Sequence, residues 1–466
     1  MNIVTVLMPW YRRESPPAEF AMTVALLKRR GHTVFVYDIN NAIFHDEFFL
    51  RKYWKYFLLD APTEIEEEFF TNNKEMFDNF AAEILSCQPR AIVFKISGNT
   101  YANSIEMAKV IKEKSNSPVI IFSGALVPNS EDVESFISAQ ANLPFDYIIC
   151  GEDEAALPEL LRSLESNSPA ELHVTGKIID CLNGPRIDNL DQLPYYDFSC
   201  FDLKKYKSPQ RLEFYISKGC PWHCSFCRDW LTETKYRSMS GNRIFREVRY
   251  QLETHKLDTI RFCDKTINGD IRALEDFCND TLQHYGSAVP FTWSGDAMIR
   301  PEMSHELLQK MFRAGCRGLG YGLESGSDKV VKDMGKFFTI TLAERVIRDT
   351  HDCNITATIN IMTGFPTETD ADFQETVEFI NRNKAFIDEI RLTFIGCRIL
   401  KHTTLYKQPE RFNLLNTDND CWSTKDGLNT YEERVKRYES LCQHVLDLGI
   451  ELKVNSRNTK RVEKAG

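Results

Sequence analysis

The chain has 466 residues and a net charge of −10, from 57 Lys and Arg against 67 Asp and Glu. That length allows two or three domains, and the ordinary apolar and charged fractions exclude a disordered or fibrous chain. An acidic chain with no dense basic run weighs against nucleic acid as partner, because a phosphate backbone asks for a basic face; no stretch nears the ~18 unbroken apolar residues of a membrane span.

The start, Met1 to Pro9, is apolar but short, with no basic n-region and no small-residue cleavage site. It reads as a first strand, Ile3–Met8, in a protein expected to be cytoplasmic. Phe20, Val24 and Leu27 repeat at helical spacing and predict a helix ending at Gly31. Strands are predicted at His32–Tyr37, Ala91–Ile96, Val119–Phe122 and Tyr147–Cys150, with helices near Ser104–Lys114 and Glu154–Leu164. Such alternation predicts a doubly wound parallel sheet, Rossmann-like, over residues 1–165. Between Asp38 and Pro89 lies an aromatic, acidic insertion with Phe48, Phe49, Tyr53, Trp54, Tyr56, Phe57, Phe69 and Phe70. It is expected to be helical, its rings serving the core.

Residues 166–209 are rich in Ser, Asn, Pro and Asp and read as a linker. A second series follows over 210–400, with candidate strands Glu213–Ser217, Thr259–Phe262, Phe291–Ser294, Gly318–Leu323, Thr356–Met362 and Glu389–Phe394. Helical patterns at Arg243–Leu252, His305–Phe312, Leu342–His351 and Asp370–Asn383 fall between them. This predicts a partial (β/α)6 barrel of the TIM type, with chemistry at the carboxyl ends of its strands. Residues 401–466 read as a small, mainly helical extension ending in a helix near Tyr431–Leu448. Its tail, around Lys460, Arg461 and Lys464, reads as a solvated terminus. The fold class is therefore α/β throughout.

The 14 cysteines are mostly scattered singly, which is not a disulfide scaffold. One group stands apart. Ser217-Lys218-Gly219-Cys220-Pro221-Trp222-His223-Cys224-Ser225-Phe226-Cys227 directly follows the first barrel strand and has the spacing C-x3-C-x2-C. Three thiolates from one short loop can ligate three irons of a cubane cluster and leave the fourth iron open. A structural zinc site would be closed by four ligands, and His223, adjacent to Cys224, is poorly placed to be one.

This motif, with Phe226 before the last cysteine, resembles that of the radical S-adenosylmethionine (SAM) superfamily. The resemblance implies a 4Fe–4S cluster on Cys220, Cys224 and Cys227. It implies SAM chelated to the open iron, an external one-electron reductant such as flavodoxin or ferredoxin, and a 5′-deoxyadenosyl radical that abstracts hydrogen from a small-molecule substrate. It also implies a set of SAM contacts at the strand ends. Asp264 stands where the family holds the methionine amino group, though Lys265 replaces a second acid and an N-cap role stays open for Asp264. Arg300 suits the methionine carboxylate or a structural ion pair equally. Gly322, Glu324 and Ser325, in Gly320-Tyr321-Gly322-Leu323-Glu324-Ser325-Gly326-Ser327, fall where the nucleotide is approached. Gly364 lies in a turn like the family's Gly-x-Pro-x-Glu-Thr, in which Glu368 reads as a first-turn helix acid. His402-Thr403-Thr404-Leu405-Tyr406 is similar to a segment found after the sixth strand.

The first domain resembles the cobalamin-binding domains that precede many such barrels. Ser97, Thr100, Gly124, Gly151 and Glu152 match its cofactor-binding positions. Three departures stand out: there is no Asp-x-His-x-x-Gly, Ser123 replaces the first of a usual glycine pair, and Asp153 takes the third place of a Gly-Glu-Gly-Glu. The resemblance implies cobalamin-dependent methyl transfer to an unactivated carbon of a small-molecule or natural-product substrate. The alternative is a non-methylating radical cyclase, epimerase, dehydratase or rearrangement enzyme whose cobalamin domain is empty or vestigial. A second cluster is not expected, since Cys87, Cys150, Cys181 and Cys200 are widely spaced.

Overall fold

A computed structural model describes residues 1–46, 63–124, 143–166, 172–181, 184, 186–233, 235–393 and 396–455. Most of the aromatic insertion (Phe48 to Phe57), Ala125 and the basic tail lie outside the described residues. The chain divides into two compact units, residues 1–214 with 231–234, and residues 215–230 with 235–466.

The first unit is built on strands Asn2–Leu7 (β1), Thr33–Asp38 (β2), Ala91–Lys95 (β3), Val119–Ser123 (β4), Tyr147–Cys150 (β5), Val174–Thr175 (β6) and Ile178–Asp180 (β7), in the order β2-β1-β3-β4-β5-β7-β6. All pair in parallel except β6, which folds back antiparallel on β7. The alternation of each strand fills two cores. Val4, Val6, Ile92, Phe94, Ile120 and Phe122 belong to one, with Phe77 and Ile84 of the helix Lys74–Ser86. Ile3, Val93, Ile121 and Ile149 belong to the other, with Leu157, Leu160 and Leu161 of the helix Asp153–Ser166. A sheet covered on both faces explains why its strands read as unbroken apolar runs. Strand order reverses between β1 and β3, which opens a crevice at the carboxyl edge.

The linker reading of 166–209 is corrected at residues 174–180, where β6 and β7 extend this sheet. Two short strands among Ser, Asn and Pro give too few residues for a period to show. In the insertion, the described part is helical, as Thr63–Asn72 and Lys74–Ser86.

Strand Arg211–Phe214 (β8) ends the first unit, and Ser217–Lys218 (β9) opens the cysteine loop and pairs antiparallel with Arg237–Ser238 (β10). The single strand expected over Glu213–Ser217 is therefore two. The second unit contains Thr259–Phe262 (β11), Thr292–Ala297 (β12), Cys316–Glu324 (β13), Thr356–Ile361 (β14), Glu389–Thr393 (β15) and Glu451–Asn455 (β16), each parallel to the next. β16 is a correction to the helical extension: after the helix Tyr431–Asp447 the chain adds a further barrel strand.

This sheet has unlike faces. Phe262, Trp293, Leu319, Tyr321, Ile359, Ile390 and Leu392 are fully buried on one, where Phe277 of the helix Ile271–Tyr285 packs on Phe262 and Trp293. The other carries Arg261, Ser294, Asp296, Gly318, Gly320, Gly322, Thr358, Asn360, Glu389 and Arg391 in register across five strands.

Candidate functional site

The cysteine loop is fixed by hydrogen bonds rather than by regular structure. Gly219 has φ +76°, which lets the chain leave β9 and turn at Cys220. Cys227 N–H donates to the Cys224 carbonyl at 3.1 Å, closing a tight turn round Ser225 and Phe226. Ser225 N–H donates to the Met334 carbonyl at 2.8 Å, its hydroxyl to the Asp333 carbonyl at 3.3 Å, and its own carbonyl accepts from Leu405 N–H at 3.0 Å. The three cysteines are half-buried, whereas Cys278, Cys316, Cys353 and Cys397 are buried. Burial pushes the thiols of Cys220 and Cys224 upward, and that of Cys227 up to about 12. Ligation by thiolate is thus coupled to loss of protons. Among the described residues no three His, Cys, Asp or Glu side chains converge as on a single ion. Thiolates on one cubane each take a different iron, so they stand farther apart than the ligands of one ion.

Asp264 supports this loop from below. Its carboxylate accepts from Ile216 N–H at 3.1 Å, Ser217 N–H at 2.6 Å and Ser217 hydroxyl at 2.5 Å. Burial nevertheless pushes it up to about 7, against those hydrogen bonds. In the structure Asp264 thus holds the backbone entering the loop, and no helix starts at it, so it is not an N-cap.

Arg300 also has protein partners. Its guanidinium donates to the carbonyls of Asn268 at 2.8 Å and Gly269 at 3.1 Å and pairs with Glu302 at 3.0 Å. The structural ion pair is the role observed. Ser325 is fully buried, its hydroxyl 3.2 Å from that of Thr376 in the helix Asp370–Asn383. Gly364, φ +69°, admits Arg434: a Cβ there would lie 2.3 Å from Arg434 Cγ. The carboxylate of Glu368 accepts from Gly364 N–H at 2.7 Å and pairs with buried Arg437 at 3.1 Å. Burial pushes it up to about 7. It precedes the cap Thr369, so it is an internal pin and not a first-turn helix acid.

Phe226, Gly322 and Glu324, in contrast, come together around a residue the sequence did not single out. Lys336 donates from Nζ to the Gly322 carbonyl at 2.6 Å, stands 3.5 Å from Glu324 Oε1, and lies 5.9 Å from the centroid of Phe226. Register slips between β13 and β14 at Gly322 and Glu324, so Leu323 is a bulge. The bulge and a φ of +69° at Glu324, rare for a side-chain-bearing residue, set this carboxylate at the strand end. Burial pushes its pKa upward and Lys336 opposes that. A Cβ on Gly322 would fall 3.0 Å from Glu324 Oε1 and 3.2 Å from Lys336 Nζ. No motif flags Lys336, because it acts from a turn after the helix Asp328–Asp333.

The polar face of the barrel was missed as well. Asp296 receives Arg261 at 2.7 Å and Arg391 at 3.2 Å, and Arg391 also meets Glu389 at 2.6 Å. Charged residues at alternate positions of strands were its signal in the sequence.

At the carboxyl edge of the first sheet, Ser97 N–H donates to Thr100 Oγ1 at 2.8 Å and the Ile96 N–H to the Ser123 carbonyl at 2.9 Å. Gly124, φ +143°, allows that approach, since a Cβ would stand 2.1 Å from the Ile96 carbonyl oxygen. Gly151, φ +96°, turns the chain toward half-buried Glu152. Two of the three departures noted in the sequence, Ser123 and Asp153, prove to be neighbours. Buried Lys95 reaches Asp153 at 2.6 Å and Ser123 at 3.2 Å, and the Ser123 hydroxyl bonds Asp153.

Residues 214–380 match the family model described as Radical SAM superfamily. The chain is 21% identical over 317 residues to an uncharacterised methyltransferase of Pyrococcus horikoshii, covering 66% of this chain and 67% of that one. It is 22% identical over 350 residues to an anaerobic magnesium-protoporphyrin IX monomethyl ester cyclase of Synechocystis, covering 72% and 68%. Its fold is similar to that of the radical SAM methyltransferase TsrM from Kitasatospora setae, solved with cobalamin and a [4Fe-4S] cluster. The TM-score is 0.63 at 14% identity, covering 94% of this chain and 85% of that one. Residues 214–380 are thus a radical SAM domain, the chain is an enzyme, and the domain implies a 4Fe–4S cluster and SAM. Among the described residues no helix is long and apolar enough to cross a membrane.

Proposed function

We propose that this radical SAM domain holds its cluster on Cys220, Cys224 and Cys227 and cleaves SAM there. In our reading it serves cobalamin-dependent methyl transfer to an unactivated carbon of a small molecule, drawing electrons from an external reductant. One observation carries the reading: three half-buried cysteines share one turn that is braced from Asp264, Asp333 and Met334, beside the Lys336–Glu324 pair. When bound, the cluster supplies one electron to the sulfonium, and cobalamin supplies a methyl carrier. The chain's own residues bind and orient. Asp264 keeps the loop entrance fixed, the turn at 333–336 backs it, and Phe226 shields it from water. Glu324 and the backbone around Gly322 are placed to meet the nucleotide. The carboxyl edge of the first sheet fits a flat cofactor at Ser97–Thr100, Gly124 and Gly151, where side chains are small; Glu152 adds a polar group beside it.

A second reading keeps the cluster and drops methyl transfer. It is favoured by Lys95, Ser123 and Asp153, which put a buried, mutually satisfied polar group where the related domains have two glycines. The deciding experiment incubates the anaerobically reconstituted enzyme with SAM, dithionite and hydroxocobalamin, and assays retained corrinoid and both nucleoside products. Retained corrinoid with S-adenosylhomocysteine beside 5′-deoxyadenosine supports the first reading. No retained corrinoid and 5′-deoxyadenosine alone supports the second.

A further inference from the structure

We propose that Lys336 is a positioning residue for the cysteine loop whose fixed positive charge sets the reduction potential of the cluster bound there. The inference rests on the reading of Cys220, Cys224 and Cys227 as cluster ligands and adds a control on it. Lys336 has a side chain only 6% exposed, which is costly for an ammonium unless its surroundings compensate. Those surroundings are specific. The nearest acceptor is the Gly322 carbonyl, at 2.6 Å; the Glu324 carboxylate stands back at 3.5 Å. Phe226 and Phe338 each lie 5.9 Å from the ammonium, within the range of a cation–π contact. Phe226 belongs to the loop itself, between Cys224 and Cys227.

The backbone holds the charge in place. Lys336 N–H donates to the Val331 carbonyl at 3.0 Å, and Met334 and Asp333 receive the two bonds from Ser225. Gly335, φ +77°, lies against the loop, where a Cβ would make ordinary contact at 3.7 Å from the His223 carbonyl oxygen and 3.9 Å from Cys224 Cα. The turn that carries Lys336 is thereby tied to the loop. Through Phe226 and the two bonds from Ser225, the ammonium is held beside the Cys224–Cys227 turn.

The consequence follows from Coulomb's law in a poorly solvated site. One-electron reduction makes the cluster more negative, so a fixed cation nearby stabilises the reduced form and raises the potential. Glu324, of opposite charge and 3.5 Å from the ammonium, works against it, so the pair sets the value between them.

The test uses the full chain, reconstituted anaerobically without SAM, and follows the reduced cluster by electron paramagnetic resonance during a redox titration. Wild type, Lys336→Met and Lys336→Arg are compared, with iron and sulfide counted in each. The expected result is a full cluster in all three, a more negative midpoint in Lys336→Met, and a midpoint near wild type in Lys336→Arg. Glu324→Gln gives a second measurement, with the midpoint expected to move the other way; it decides if Lys336→Met loses its cluster. A full cluster with an unmoved midpoint in Lys336→Met, or in Glu324→Gln where that variant decides, overturns the inference alone. A wild-type chain that takes up no cubane overturns the cluster reading together with it.

Discussion

In the first sheet, β3 and β4 are apolar to both sides and carry an unlike group only at their last residues, Lys95 and Ser123. In the second, β12 through β15 are apolar to one side and lined with Asp296, glycines, Thr358, Asn360, Glu389 and Arg391 on the other. A sheet covered on both faces can bind a ligand only at its edge. A sheet with one polar face can also bind over that face, and Gly320 and Gly322 of β13 make room there for the side chains of Asp296, Glu324 and Lys336. In the function proposed above the two units take different tasks: a flat cofactor at an edge, and a nucleotide with a substrate over the polar face.

The largest expected effect concerns the loop that makes the second unit reactive. Cys220→Ala, Cys224→Ala or Cys227→Ala should each reduce iron from roughly four per chain to near zero, with loss of the cluster's visible absorption. Retention of full iron in any one would remove that cysteine from the ligand set. Next come the pins around the barrel mouth. Glu368→Ala takes one of two close carboxylates from buried Arg437, which keeps Asp370 at 2.7 Å, and should cost about 2–3 kcal/mol in chemical denaturation. Smaller is the effect of filling the polar interior: a Cβ on Gly320 would stand 2.2 Å from Asp296 Oδ1. Gly320→Ala should cost about 1–3 kcal/mol and unsettle the Arg261 and Arg391 pairs. An unchanged midpoint of unfolding would show that the interior is looser than the glycines imply.

The smallest effect is a pH dependence. Asp264 is pushed up to about 7 in the folded chain, from an ordinary value of 3.8. A raised acid binds its proton more tightly when folded, so its contribution is complete below about 4 and is lost as pH rises through about 7. Asp264→Asn should flatten part of the fall in melting temperature between those limits. An identical slope in wild type and variant would assign the fall to other groups.

Much of this was legible in the sequence, and the reasons for the rest are specific. Strands such as Thr356–Ile361 and helices such as Asp370–Asn383 were plain from their patterns, and the three cysteines from their spacing. β6 and β7 were not, because strands of two and three residues leave no period to read, and β16 was not, because only Leu452 and Val454 carry its alternation. At the strand ends, residue type alone could not separate a ligand contact from a structural bond. Arg300 and Asp264 have the right chemistry for SAM, yet Glu302 and the backbone of Ile216–Ser217 claim them. Lys336 carried no motif, since its importance comes from a bulge in β13 and a turn that only the fold brings together.

The account rests on an iron corner that the chain leaves free for SAM. The most direct measurement is electron paramagnetic resonance of the reduced, reconstituted enzyme with and without SAM. The account predicts a cubane signal whose g-values change on adding SAM. A chain without that signal, or one whose signal is identical in both samples, contradicts it.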